Sequence, residues 1–451
     1  MIHGYPAPAG VAPGESLVLH ISTDAARFRV LFYRWGERLL LVHETSWLAG
    51  KYALPQSAAD DWQWPPYEFK IPHHWPSAVY IAHLEESGGG RIDLANKSAS
   101  ALFIVSGKRR SKLLYKIPLA TYHAYNCTGG GCFYINPPRS QDPAGAKLSL
   151  HRPGGGIGGE TWGALDYYDM SSPRQTFAHW DARFIRWLLR NGYSPEFCTD
   201  FDIHADRDLC NRYRLLLSVG HDEYWSEPAR DRVEDFVSKG GNVAFFGANL
   251  CWWRIHVVDD GTAIVCHQGG PHGAFDHWWP QTGAARPEDA LTGVSYRNGG
   301  GWWDGPRHTE GFIVQDPEHW VFAGTGLSHG NSFGSNTSPP LVGYECDGAP
   351  LESFDGTAGL AVLSSNAHLT GTPSGFRVLA ASLLDGDWQE RPPREMYPAG
   401  AGIHAATMGI FARNGTVFTA GTTDWAQVLE NAQDPHVDKI TRNVINRLLD
   451  K

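Results

Sequence analysis

Residues 215–226 read LLLSVGHDEYWS. An apolar run of this length, closed by Gly220, has the composition of a strand buried on both faces, which belongs to α/β architecture. The next residues agree with that reading. SEPARDRVEDFVSKGG (226–241) has helical spacing, with Ser226 as candidate N-cap, Pro228 in the first turn and a double-glycine stop, and NVAFFGAN (242–249) is a second strand. Strand, helix and strand of this length imply parallel neighbours joined by a right-handed crossover. His221, Asp222 and Glu223 then fall at the carboxyl end of a strand, where open α/β sheets bind ligands. If the chain is still extended there, the period of two puts His221 and Glu223 on one face and Asp222 on the other. The competing reading is a cap, in which the acidic side chains satisfy free N–H groups of the following helix.

Outward from this segment the texture changes twice. Before it, SLVLHIST (16–23), RFRVLFYRWG (27–36), SAVYIAHLE (77–85) and SALFIVSG (100–107) are short alternating runs. They are separated by the breaker clusters APAGVAPGE, WPPYEFKIPHHWPS and ESGGGRID. Short strands at this spacing predict an all-β sandwich domain over residues 1–112. From 113 to 451 the chain reads as an α/β domain with Gly/Trp-rich insertions. FAHWDARFIRWLLRNGY (177–193) is a helix stopped at Asn-Gly, RVLAASLL (377–384) and GTVFTAGT (415–422) are strand pieces, and DKITRNVINRLL (438–449) is an amphipathic helix.

Composition narrows the function. The 451 residues carry 38 Lys and Arg against 48 Asp and Glu, a net charge of −10, and no basic run longer than KRR at 108–110, which argues against a nucleic-acid partner. No stretch approaches the roughly 18 apolar residues of a membrane span, and the first residues lack a basic segment followed by an apolar one. The expectation is a cytoplasmic protein with no membrane partner. Seven cysteines are scattered without a CxxC pair, Cys127 and Cys132 being the closest, so neither a disulfide framework nor a zinc ribbon is expected. The 18 Trp, 51 Gly and 29 Pro point to irregular loops and aromatic-lined surfaces.

Histidine and glutamate together suit acid–base chemistry or two metal positions. HExxH and EF-hand loops are absent, and GHDEY offers no Ser or Cys for a nucleophile elbow. GGGIGG (154–159) contains GxGxxG but follows HRP and leads into ETWGALDYYD, which opens no helix, so it reads as a flexible loop. CHQGGPHGAFDHW (266–278) holds His267, His272 and His277; without a Cys/His pair at zinc spacing it reads as loop packing and substrate lining. RHTEG (307–311) brings a histidine near a glutamate and is a reserve proton-transfer site.

Taken in order, ATYHAYN (120–126), LSLHRP (148–153), RFIRWLLRNGY, GHDEYWS, GGNVAFFGAN, LVGYECDG (341–348) and FTAGTTDWA (418–426) resemble the large (beta) subunit of the N,N-dimethylformamidase family. The likeness spans roughly 115–449, with a similar sandwich region before it. It implies a glutamine-amidotransferase-like parallel-sheet domain and an amidohydrolase that cleaves the C–N bond of a small, N-substituted amide. The cofactor it implies is one non-haem iron, in the ferric state, held by two tyrosinates and a glutamate. Carried over by motif, the metal ligands are Tyr125, Tyr134 and Glu223, with Tyr168 in DYYD as the alternative to Tyr134. His221 and Glu345 are the implied proton-transfer residues, their individual roles as base and acid left open. A small partner subunit or a homo-oligomer is a further implication. Two other readings stand beside this one: the same metal fold acting on a different bond, and a non-catalytic protein that binds carbohydrate or peptide.

Overall fold

The computed structural model describes residues 1–450 apart from 87–98, 108–109, 136–145, 164, 270–274, 281–282, 356–357 and 390–401. Most of the ESGGGRID turn and His272 therefore lie outside the described residues. The chain is sheet-rich with short helices, and its strands pair both parallel and antiparallel. Two compact units form: one from Met1–Asp206, Ser226–Ala229 and Arg254–Asp276, the other from Arg207–Trp225, Arg230–Trp253 and His277–Lys451. Among the described residues no helix is long and apolar enough to cross a membrane.

In the first unit, strand Ser16–Ser22 lies between His3–Pro6 and Pro66–Lys70, antiparallel to both. A second sheet runs Gly10–Val11, Ser100–Val105, Ala78–Glu85, Arg27–Arg34, Leu40–Glu44. Alternation decides what each strand buries. Leu17, Leu19 and Ile21 from the first sheet meet Phe28, Val30, Phe32, Tyr80, Leu84, Phe103 and Val105 from the second in one apolar cluster. Further along, strand Leu113–Ile117 pairs parallel with Glu196–Thr199. Helix Asp181–Arg190 buries Phe184, Ile185, Trp187 and Leu188, the stripe its spacing predicts, and ends at Asn191 and Gly192. Helix Asp200–Ala205 starts with a capping box between Thr199 and Asp202. A hairpin of Trp253–Val258 and Ala263–Cys266 is extended by Ala146–Ser149.

The second unit carries a run of seven strands in the order Leu215–His221, Asn242–Ala248, Thr416–Thr419, Ala405–Ala412, Arg377–Leu383, Phe312–Val314 and Ser332–Phe333. The first two pairings are parallel and the other four antiparallel. The expected parallel sheet is thus only the beginning of a mixed one. The reason is local: Ala405–Ala412 and Thr416–Thr419 are joined by three residues, which suffice for a hairpin but not for a crossover. Helix Glu227–Ser238 connects the two parallel strands as the sequence predicts, and the Gly240 and Gly241 amides close it onto the Val237 and Phe236 carbonyls.

The C-terminal helix Pro435–Asp450 buries Val437, Ile440, Val444, Ile445 and Leu448, one apolar stripe. Its end is tied to the sheet by buried Asn242, whose Nδ2 donates to the Leu448 carbonyl at 2.7 Å while Oδ1 accepts from the Thr416 amide at 2.9 Å. Asn242→Ala strands two buried partners and is expected to lower stability by about 1–3 kcal/mol. A shift of the urea-unfolding midpoint measures this, and an unchanged midpoint would contradict the tie.

Candidate active site

All seven residues of strand Leu215–His221 are buried, and Gly220 lies opposite Gly247 in the parallel register. A Cβ at position 247 would sit 2.2 Å from the Gly220 carbonyl oxygen, so glycine is required for the two strands to approach this closely. Gly220 itself has φ of +71°, a left-handed step that redirects the chain as it leaves the sheet.

Beyond that step the three ionisable residues separate as the period of two predicts. Asp222 turns to Ser218, whose hydroxyl donates to Oδ2 at 2.5 Å. His221 and Glu223 come together, Nε2 lying 3.6 Å from Glu223 Oε2. Backbone bonds hold the segment: the Asp222 carbonyl accepts from the Cys251 amide at 2.9 Å and from Trp225 Nε1 at 3.0 Å, and the Glu223 carbonyl accepts from the Trp253 amide at 3.0 Å. The capping role falls to Ser226, whose Oγ accepts from the Ala229 amide at 3.3 Å.

The third member arrives from far along the chain. Glu345 opens strand Glu345–Gly348 and places Oε2 2.7 Å from His221 Nε2, where it acts on the imidazole through charge and hydrogen bonding. Thr423 fixes it from both sides, its Oγ1 accepting from the Glu345 amide at 3.2 Å and its own amide donating to the Glu345 carbonyl at 3.1 Å. The neighbouring Thr422 donates toward the Leu341 and Gly343 carbonyls, and Asp424 forms a buried ion pair with Arg307. HDEYW, GYECDG and GTTDW, far apart in sequence, therefore build one cluster. Tyr344 packs edge-on to the imidazole, with ring centroids 6.3 Å apart.

His221, Glu223 and Glu345 are all buried. Burial alone would drive the proton from His221, but Glu345, then Glu223 and Asp222, outweigh it and hold the imidazole above its usual pKa. Two residues beyond Glu345, fully buried Asp347 accepts from the Asn249 amide at 2.9 Å and the Leu250 amide at 3.2 Å. Desolvation dominates there and pushes its carboxyl up to about 8. No local pattern announces Asp347, Thr423 or the Arg307–Asp424 pair. Asp347, Thr423 and Asp424 fall within the family-like motifs LVGYECDG and FTAGTTDWA, while Arg307 lies in the polar stretch RHTEG.

In the first unit, Tyr125 ends helix Leu119–Ala124 and stacks on Tyr134, with ring centroids 4.4 Å apart. Trp162 lies almost parallel to Tyr134 at 4.8 Å. Loop-to-loop bonds hold the stack, the Phe133 amide donating to the Ala124 carbonyl and the Trp162 amide to the Tyr125 carbonyl at 2.8 Å. Tyr168 packs edge-on against Tyr167. GGGIGG is closely packed rather than loose: a Cβ on Gly155 would lie 2.7 Å from His123 Nε2. His308 and Glu310 of RHTEG are exposed, while Arg307 is buried. His277 stacks on Trp253 at 3.9 Å, in keeping with a packing role.

With this geometry in place, comparison with known proteins is informative. A family model described as N,N-dimethylformamidase beta subunit-like, C-terminal, matches residues 28–438. Two relatives, each named N,N-dimethylformamidase beta subunit, come from Alcaligenes sp. and Paracoccus aminophilus. Each is 25% identical to this chain over 301 residues, covering 60% of this chain and 36% of the relative. The matched length is thus little more than a third of those proteins.

Asp347 supplies a pH test of the site's electrostatics. Its folded pKa lies above the ordinary carboxylate value, so the folded state keeps a proton that the unfolded chain releases. That contribution is fully present below about 4 and is lost as pH rises toward 8. Asp347→Asn should therefore compare more favourably with the parent in melting temperature at pH 8 than at pH 5. Equal differences at both pH values would contradict a buried, protonated Asp347.

Proposed function

The chain belongs to the N,N-dimethylformamidase beta subunit-like family, and from that premise we propose that it hydrolyses the C–N bond of a small N-substituted amide. The observation that carries the proposal is the buried cluster of His221, Glu223 and Glu345 at the end of a central strand. A buried imidazole with two carboxylates against it is costly to assemble for packing alone and well suited to moving protons.

The metal is proposed as a single non-haem ferric ion with Tyr125, Tyr134 and Glu223 as ligands, on the strength of the family resemblance. The donor set fits, since phenolate and carboxylate are hard anionic oxygens that favour such an ion. One imidazolium facing two carboxylates leaves an excess of negative charge, which a cation offsets. In the first unit, the stacking of Tyr134 on Tyr125 sets two phenol side chains together and supports Tyr134 as the second tyrosine, with Tyr168 the alternative. When bound, an ion of this kind polarises a carbonyl and lowers the pKa of water.

The chain's own contribution is proton handling. His221 Nε2 and Glu345 Oε2, 2.7 Å apart, are the pair that takes a proton from attacking water and returns one to the leaving amine. Thr423 holds Glu345 in place for this, and the Gly220–Gly247 contact holds the strand end that carries His221. Burial of all three side chains keeps bulk water from competing for their charges.

The finer architecture belongs to the same proposal. Two sheets around one apolar cluster support a β-sandwich over 1–112, and parallel strands joined by helix Glu227–Ser238 support a glutamine-amidotransferase-like domain from 113 onward. A small partner subunit or a homo-oligomer is proposed because the relatives are named as beta subunits, and the setting proposed is cytoplasmic.

Amine release from a panel of small amides, N,N-dimethylformamide among them, tests the proposal on iron-loaded protein. At least one member should be cleaved, and His221→Gln and Glu345→Gln should each lower kcat by about 10²–10⁴-fold with the circular dichroism unchanged. An inert parent protein, or full activity in both variants, would refute it.

A further inference from the structure

We infer that His256, His267 and Asp276 form a binding site for a divalent transition-metal cation in the first unit, separate from the chemistry proposed above and not dependent on it. The three residues offer ring nitrogens and a carboxylate oxygen that all lie within 4.8 Å of one another. His256 Nε2 is 3.1 and 3.2 Å from the two oxygens of Asp276, and His267 Nδ1 is 2.6 Å from Oδ2. In a tetrahedral site with bonds near 2.0–2.1 Å, ligand atoms stand about 3.4 Å apart, so the cluster needs to adjust by only about 1 Å to enclose an ion.

The site is held by backbone. His256 lies in strand Trp253–Val258 opposite Val265, and His267 directly follows the paired strand Ala263–Cys266. Asp276 is bonded to both strands: its amide donates to the His267 carbonyl at 2.7 Å, and its carbonyl accepts from the Arg254 amide at 2.6 Å. Oδ2 also accepts from the His267 amide at 2.8 Å. The ligand spacing is therefore set by a paired hairpin and not by side-chain chance.

Electrostatics favour a cation here. Burial would raise the Asp276 carboxyl, but bonds from His256 and from the His267 amide and ring hold it well below the usual carboxylate range. Arg254 reaches Oδ1 at 3.0 Å through Nη2, the position of a residue that orients a ligating carboxylate from behind. An ionised carboxylate is thus in place, two imidazoles converge on it, and Glu227, 3.8 Å from Arg254 Nη1, shares that guanidinium so that the two carboxylates outweigh it. The side chain of Asp276 is 2% exposed, against 20% for His267 and 40% for His256, so the cluster opens to solvent on the histidine side. That leaves room for water or an exogenous ligand on the ion. Two imidazoles with one carboxylate suit Zn²⁺ and its first-row neighbours rather than Ca²⁺ or Mg²⁺.

Equilibrium dialysis of the full chain against Zn²⁺, with Co²⁺ absorption as the spectroscopic probe of nitrogen ligation, tests the site. To separate it from the proposed iron site, Glu223→Gln protein is the background. One equivalent of Zn²⁺ should bind in that background, and affinity should fall at least tenfold on adding His256→Gln or His267→Gln. His256 is partly exposed, so its substitution leaves the hairpin core intact, and the melting curve confirms this. Absence of Zn²⁺ binding in the background protein, or undiminished binding in both histidine variants, would overturn the inference whatever the outcome of the amide assays.

Discussion

His221 Nε2 stands 2.7 Å from Glu345 and 3.6 Å from Glu223, with all three side chains withdrawn from water. Removing ionised groups from solvent costs several kcal/mol each after relaxation, and only close, well-placed opposite charge offsets that. The second unit is built to meet this condition. Glycines at 220 and 247 let the two central strands close up, the Cys251–Trp253 stretch anchors the strand exit, and Thr423 holds Glu345 against the imidazole. Asp347 and the Arg307–Asp424 pair are further buried polar groups of the same unit. Loosening any of these would leave a charge without its partner, which is more damaging than losing the partner's own contacts.

Much of this was legible in the sequence where the signal is local. The strand, helix and strand around GHDEYWS follow from an apolar run, a capping serine and a double glycine, and the pairing of His221 with Glu223 follows from the period of a strand. Glu345 does not, because nothing in its own neighbourhood points to His221; only the ordered motifs of the family placed it there. The direction of the later strands is likewise absent from local pattern. RVLAASLL and GTVFTAGT read as strands, yet their antiparallel pairing with Ala405–Ala412 is not reported by periodicity; for GTVFTAGT it is decided by a three-residue connection.

The histidine-rich stretch after Cys266 shows the same limit in another form. Taken alone, it holds His267, His272 and His277 with a single cysteine, Cys266, and so lacks the paired cysteines of a zinc-finger ligand set. The residues that converge with His267 are His256, from the preceding strand of the hairpin, and Asp276, which the backbone returns to that hairpin's edge. Antiparallel pairing brings positions together that no fixed spacing would select. Tyr125 and Tyr134 are a milder case, their stack depending on loop-to-loop bonds around Ala124 and Trp162.

The strand-end cluster is proposed as the chemical centre of the molecule, with Glu223 as a ligand of a ferric ion. Iron content and the visible spectrum of freshly purified protein, set beside the Glu223→Gln variant, address that most directly. Near-stoichiometric iron with a tyrosinate-to-iron charge-transfer colour, both lost on changing Glu223, is expected. A colourless protein that stays empty after reconstitution with iron, or a variant that keeps iron and colour unchanged, would contradict it.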